Sequence, residues 1–77
     1  MKTYYFTFSL KHPLHGYVQR VLATDEFKAR ETMVAFYGHK WAFCYSSNVA
    51  KVDYREVVIK GYSYQLIPYD LHEGETL

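Results

Sequence analysis

The segment TDEFKARETMVAFYGHKWAFCY, residues 24–45, decides the fold, because its hydrophobic period changes half-way along. Through residue 37 the apolar positions keep a helical spacing. Ala29, Met33, Phe36 and Tyr37 share one side, extended by Val34, and Lys28, Glu31 and Thr32 fall on polar positions. Thr24 suits the N-cap, and Asp25 and Glu26 meet the positive end of the helix dipole. Gly38 tolerates the left-handed backbone that ends a helix, with His39 and Lys40 just beyond. From Trp41 the period drops to two, Trp41, Phe43 and Tyr45 alternating with Ala42 and Cys44, which predicts a strand. Two burial patterns are open for that strand. Either Ala42 and Cys44 let the helix press close, or the rings face the core; burying rings gains more free energy and is the expectation.

Before this segment, residues 3–10, TYYFTFSL, alternate strictly: Tyr4, Phe6, Phe8 and Leu10 on one face, Tyr5, Thr7 and Ser9 on the other. KHPLHG then reads as a loop, since Pro13 lacks an N–H and Gly16 tolerates positive φ. Residues 17–23, YVQRVLA, form a second strand, with Val18, Arg20 and Leu22 opposite Tyr17, Gln19 and Val21. The loop is short enough for a hairpin. After residue 45, SSNVAKVDYRE reads as a polar connection. VVIK and YSYQLIPY read as a hairpin around Lys60-Gly61. A rival reading of residues 52–60 starts a helix at Asp53 with Glu56 in the capping-box position. The expected fold is α+β: a ββαβ(β) antiparallel sheet with one helix packed on one face, in a single domain over residues 1–70, followed by a flexible acidic tail over 71–77.

Composition narrows the function. A chain of 77 residues buries only about 60–65% of its unfolded surface. Nine Tyr, five Phe and one Trp are a heavy aromatic load for that length, so some rings are expected at the surface. Nine Lys and Arg against eight Asp and Glu leave neither the basic excess of a phosphate-neutralising protein nor the acidic excess of a DNA mimic. The one cysteine, Cys44, cannot form a disulfide within the chain, and a reduced, cytoplasmic location is expected. No apolar run is long enough to span a membrane, and the alternating N-terminus reads as a strand rather than a signal peptide.

Four motifs run through the first half: Y-x-F-T-F at residues 4–8, His12-Pro13, A-x-D-x-x-x-A-R-x-x-M at 23–33, and G-x-K-W-A-F-x-Y at 38–45. Together they resemble a family of small proteins of phages, prophages and mobile elements, over a little more than half of the chain. Cys44 stands where that pattern carries a polar residue, so it is not expected to be functional. The resemblance implies a phage or mobile-element origin. It also implies a role in binding and inhibiting a host defence or regulatory protein, anti-CRISPR proteins being one such class.

The chemistry-bearing residues support binding better than catalysis. His12, His15, His39 and Cys44 are zinc-type ligands, but their spacing lacks paired knuckles, and no metal or cofactor is expected. Cys44 lies mid-strand among rings with no acidic group near it in sequence, a setting that makes a thiol inert. Tyr5, Tyr17, Tyr62 and Tyr64, with Arg20 and Lys40, are candidates for stacking nucleobases and meeting phosphates. The same residue types dominate protein interfaces. Arg30 is expected to snorkel or to pair with Glu26 or Glu31. Unpaired sheet edges also allow a homodimer. The leading expectation is a non-enzymatic inhibitor that occludes a host protein, such as a defence nuclease, through Tyr5, His12, His15, Tyr17, Arg20, His39, Lys40, Tyr62 and Tyr64. The alternative is a nucleic-acid-binding module on the aromatic sheet face.

Overall fold

The strictly alternating N-terminal segment is an interior strand of the sheet. In the computed structural model, which describes residues 1–75, strand β1 (Lys2–Phe8) is flanked by two antiparallel neighbours, β2 (Tyr17–Ala23) and β3 (Trp41–Tyr45). Helix α1 (Glu26–Tyr37) is followed, after β3, by β4 (Val49–Lys51), β5 (Glu56–Ile59), β6 (Tyr62–Leu66) and β7 (Leu71–His72). The architecture is α+β, one helix on one face of a sheet ordered β3-β1-β2-β6-β5-β4, with β7 also on β2. The two ends of that path, β3 and β4, are joined by residues 46–48 alone. Four residue steps span at most about 14 Å, so the sheet must curl to bring its ends together.

Curling gives the sheet two cores. On the helix side Tyr4, Phe6 and Phe8 pack with Val21, Ala23, Ala29, Met33, Ile67 and Leu71. Inside the curl Val18, Val57, Ile59 and Leu66 are buried, with Tyr5, Tyr45, Val49 and Tyr64 packed around them. The alternation of β1 and β2 thus serves two apolar faces. Leu10 departs from expectation: β1 ends at Phe8, and Leu10 is 79% exposed.

Strand β3 resolves the choice left open above by satisfying neither pattern. Phe6 pairs with Cys44 and Phe8 with Trp41, two steps on β1 against three on β3. The extra residue is a bulge, which changes the parity of the strand. Trp41 and Cys44 both pack against the helix-side core, Tyr45 packs inside the curl, and Phe43, expected in the core, is 63% exposed.

The helix starts one residue later than its best-looking cap. Asp25, not Thr24, is the N-cap, accepting from the Lys28 N–H at 2.8 Å. Thr24 is occupied elsewhere: its N–H and its Oγ1 both bond the Glu73 carboxylate. Thr32, expected on the polar side, is buried because its hydroxyl donates to the Lys28 carbonyl at 2.9 Å, leaving the methyl to pack. Arg30 pairs with Glu26 at 2.7 Å and lies over the Trp41 ring.

Residues 46–56 hold more structure than a polar connection. β4 pairs antiparallel with β5, Val49 opposite Ile59. Between them Asp53 Oδ1 accepts from the N–H groups of Arg55 and Glu56, so the residue that resembled a helix cap closes a turn. Residues 56–59 are therefore strand, with Val57 and Ile59 buried. The hairpin at Lys60-Gly61 is as expected, both residues having positive φ, 52° and 86°.

The sheet is mixed rather than wholly antiparallel, since β6 and β7 both run parallel to β2 along its second edge. The carbonyls of Gly16, Val18 and Leu22 accept from the N–H groups of Gln65, Ile67 and Glu73. The register slips between the two pairings, because residues 67–73 carry two more residues than that stretch of β2 needs. Gln19, fully buried, ties the looped-out residues to the sheet: its Nε2 donates to the carbonyls of Arg20 (2.9 Å) and Tyr69 (2.8 Å), and its Oε1 accepts from the Tyr37 hydroxyl (2.8 Å). Arg20 grips Asp70 through two hydrogen bonds, 2.9 and 2.7 Å, beside them. The tail expected from residue 71 is part of the domain at its start: Leu71 is buried in the core, and Glu73 holds Thr24. Thr76 and Leu77 lie outside the described residues, and with them the end of that expected tail.

Two tests follow. Gln19→Met keeps the length and removes the amide, leaving the Tyr69 carbonyl and the Tyr37 hydroxyl without this partner; it is expected to lower unfolding free energy by about 1–3 kcal/mol in urea denaturation. The bonds from Thr24 hold the Glu73 carboxyl below its ordinary value of 4.5. Its contribution to stability is therefore present above pH 4.5 and is lost as pH falls through the lowered folded-state value. Thermal melts are expected to show wild type losing its advantage over Glu73→Gln across that acid range; a difference constant with pH would contradict the linkage.

Candidate partner-binding surface

The residues singled out in the sequence are divided by the curl among several places. Tyr17 packs on the helix-side core, whereas Tyr5 and Tyr64 pack inside the curl. The four tyrosines therefore do not form one open platform. Arg20 is committed to Asp70, whose hydrogen bonds raise its already high pKa. These residues serve the fold first.

Among the hollows at the surface, three bring together the residues that bear on partner binding. The first, about 400 Å³, is lined by His15, Gly16, Tyr62, Ser63 and Tyr64. Tyr62 is 70% exposed there and Tyr64 half-buried. The second, about 440 Å³, lies among Arg20, Lys51, Tyr54, Arg55, Pro68 and Asp70. The turn set by Asp53 displays Tyr54, 73% exposed, with the Arg55 guanidinium 5.1 Å from its ring centre. The Tyr69 backbone is held by Gln19, and its exposed side chain reaches the Tyr37 hydroxyl at 3.3 Å. Burial and then that hydrogen bond push the Tyr37 phenol up. The third, about 320 Å³, brings the loop after β1 against the segment after α1, with Lys11, His12, Pro13, His39, Lys40 and Trp41 in its walls.

His12, His39 and Lys40, far apart in sequence, thus meet in one cleft, and His15, Tyr62 and Tyr64 meet in another. Tyr5, Tyr17 and Arg20 join neither group. The proposed zinc ligands disperse likewise. Only His12 and His39 share a hollow, and among the described residues no three His, Cys, Asp or Glu side chains converge on one point. Sequence reasoning passed over Lys51, Tyr54 and Arg55. The signal was present as the Tyr-Arg dipeptide inside a polar stretch, and reading that stretch as mere connection hid it. No described helix is long and apolar enough to cross a membrane.

Cys44 sits against the helix-side core, where burial, reinforced by Glu26, pushes its thiol up to about 11. Comparison with protein-family models, with curated proteins and with solved structures finds no match. Against the ordinary 9.0, Cys44 is expected to carry about 100-fold less thiolate at pH 8 and to react with iodoacetamide correspondingly slowly. Labelling at the rate of free cysteine would place the thiol in the open.

Proposed function

We propose that the chain is a small binding protein, without turnover, that docks on a host protein and occludes its working surface. The resemblance described above makes a CRISPR or other defence effector the target class, in the cytoplasm of a host cell. The observation that supports this best is the pair of tyrosines, Tyr54 and Tyr62, standing exposed beside clefts on short turns. Each turn is fixed, one by the Asp53 carboxylate and the other by the β5–β6 hairpin. A rigid exposed tyrosine beside a hollow offers large contact area at small entropic cost, the property of interface hot spots. The nucleic-acid alternative relied on Tyr5, Tyr17, Tyr62 and Tyr64 acting together, and their separation weakens it.

The test is capture of partners from host lysate by the tagged protein, with a nuclease-treated control, repeated with Tyr54→Ala and Tyr62→Ala. Both side chains are exposed, so the variants are expected to fold. A protein retained after nuclease treatment and lost with at least one variant supports the reading. Removing one hot-spot tyrosine costs about 2 kcal/mol, or about 30-fold in affinity. Capture that vanishes with nuclease, or that ignores both substitutions, counts against it.

A further inference from the structure

Charge is distributed unevenly over this nearly neutral chain. Most cations are already engaged: Arg20 with Asp70, Lys28 with Glu31, Arg30 with Glu26, and Arg55 and Lys60 over the rings of Tyr54 and Tyr45. Among the described residues Lys2, Lys11, Lys40 and Lys51 have no carboxylate within ion-pair distance. Of these, Lys11 and Lys40 both line the cleft between the β1–β2 loop and the turn after α1, which no Asp or Glu lines. The negative end of the helix dipole accounts for cations just after Gly38. It does not account for Lys11 and His12, which arrive from another loop.

That other loop is rigid. His12 N–H bonds the Ser9 carbonyl, His15 N–H the His12 carbonyl, and Tyr17 N–H the Leu14 carbonyl, each at 2.9–3.0 Å, which makes a run of tight turns. The His12 ring is positioned twice over. It lies 4.7 Å from the Phe8 ring, centre to centre, and its Nδ1 accepts from the Leu14 N–H at 3.0 Å. With Nδ1 accepting, a neutral ring carries its proton on Nε2, so His12 is a preset donor. The cleft therefore holds two ammonium groups, one oriented imidazole donor and a second imidazole, His39, between the apolar walls of Pro13 and Trp41.

We propose that this cleft binds carboxylates of an acidic segment on the partner protein. The inference rests on the binding-protein reading above and specifies the partner's chemistry. Concave walls of one sign concentrate the field and attract the opposite charge. A nucleic-acid strand needs cations in a stripe along successive phosphates, and the cations outside this cleft are largely engaged elsewhere. A short acidic stretch of protein needs only a local pair of cations and an apolar wall for its neighbouring side chain.

The experiment is an NMR titration of the intact ¹⁵N-labelled protein with the probe peptide acetyl-(Asp-Glu)₃-amide, and in parallel with an eight-nucleotide oligothymidylate. The chain has one Trp, so Trp41 supplies a single, unambiguous indole N–H signal in the cleft wall. The expected result is saturable peptide-induced shifts at Trp41 and at residues 11–13 and 39–41. The double variant Lys11→Ala/Lys40→Ala is expected to weaken this by about tenfold or more, and the control Lys51→Ala, outside the cleft, to leave it unchanged. The proposal is overturned by the absence of peptide shifts at these residues, by equal loss in the control, or by shifts with the oligonucleotide alone. If the lysate partner is found and the double variant still captures it at full strength, this cleft is excluded and the binding-protein reading stands.

Discussion

The fold depends on how the second edge of β2 is served. One short strand cannot run its whole length, so β6 takes the first half and β7 the second, both parallel to it. Two surplus residues between them loop out around Tyr69, which takes that backbone off the ladder. A backbone carbonyl that leaves the ladder needs another donor, and the fully buried Gln19 amide supplies one to Tyr69 from within the core. The same amide accepts from Tyr37 at the end of the helix. One side chain thus ties sheet edge, surface loop and helix together. Arg20 and Asp70 clamp the loop from outside. The chain can therefore turn at Ile67, bury Leu71 and bring Glu73 back to the helix start.

The elements legible in the sequence were those whose partners are close along the chain. β1, β2 and α1 follow from period, and the Lys60-Gly61 hairpin from its turn residues. What escaped depends on distant chain. Thr24 looked like the cap, and Asp25 took the place because Glu73, about fifty residues on, holds Thr24. β7 is two residues long and carries no period; only its pairing with β2 makes it a strand. The bulge in β3 has no mark of its own either. WAFCY alternates faultlessly, and the break follows from fitting that strand to β1 while Trp41 and Cys44 both meet the helix-side core.

The candidate site was legible by residue type and not by grouping. Tyrosines, histidines and an arginine are the side chains whose chemistry the sequence displays. Whether they stand together is a property of the curl, which places Tyr5 and Tyr17 on opposite faces of neighbouring strands. The pairing of β1 with β3 at Phe8 and Trp41 brings two loops about twenty-five residues apart into one cleft, which neither loop's sequence announces. Arg20 is the instructive case. Its chemistry suits a partner's acid, but its place beside the looped-out residues before β7 gives it an acid within the chain, Asp70.

That last point separates two uses of polar residues in a domain with thin cores. Gln19, Arg20, Asp70, Glu73 and Thr24 close the hydrogen bonding of an irregular edge, and their groups are consumed in doing so. Lys11, Lys40, Tyr54 and Tyr62 stand on or beside turns, and the hydrogen bonds that fix those turns are made by other groups. Changing the first group should cost stability, whereas changing the second should leave the fold intact. The surface can therefore be remodelled for a partner without disturbing β2 and its edge, and this independence suits a small scaffold for binding.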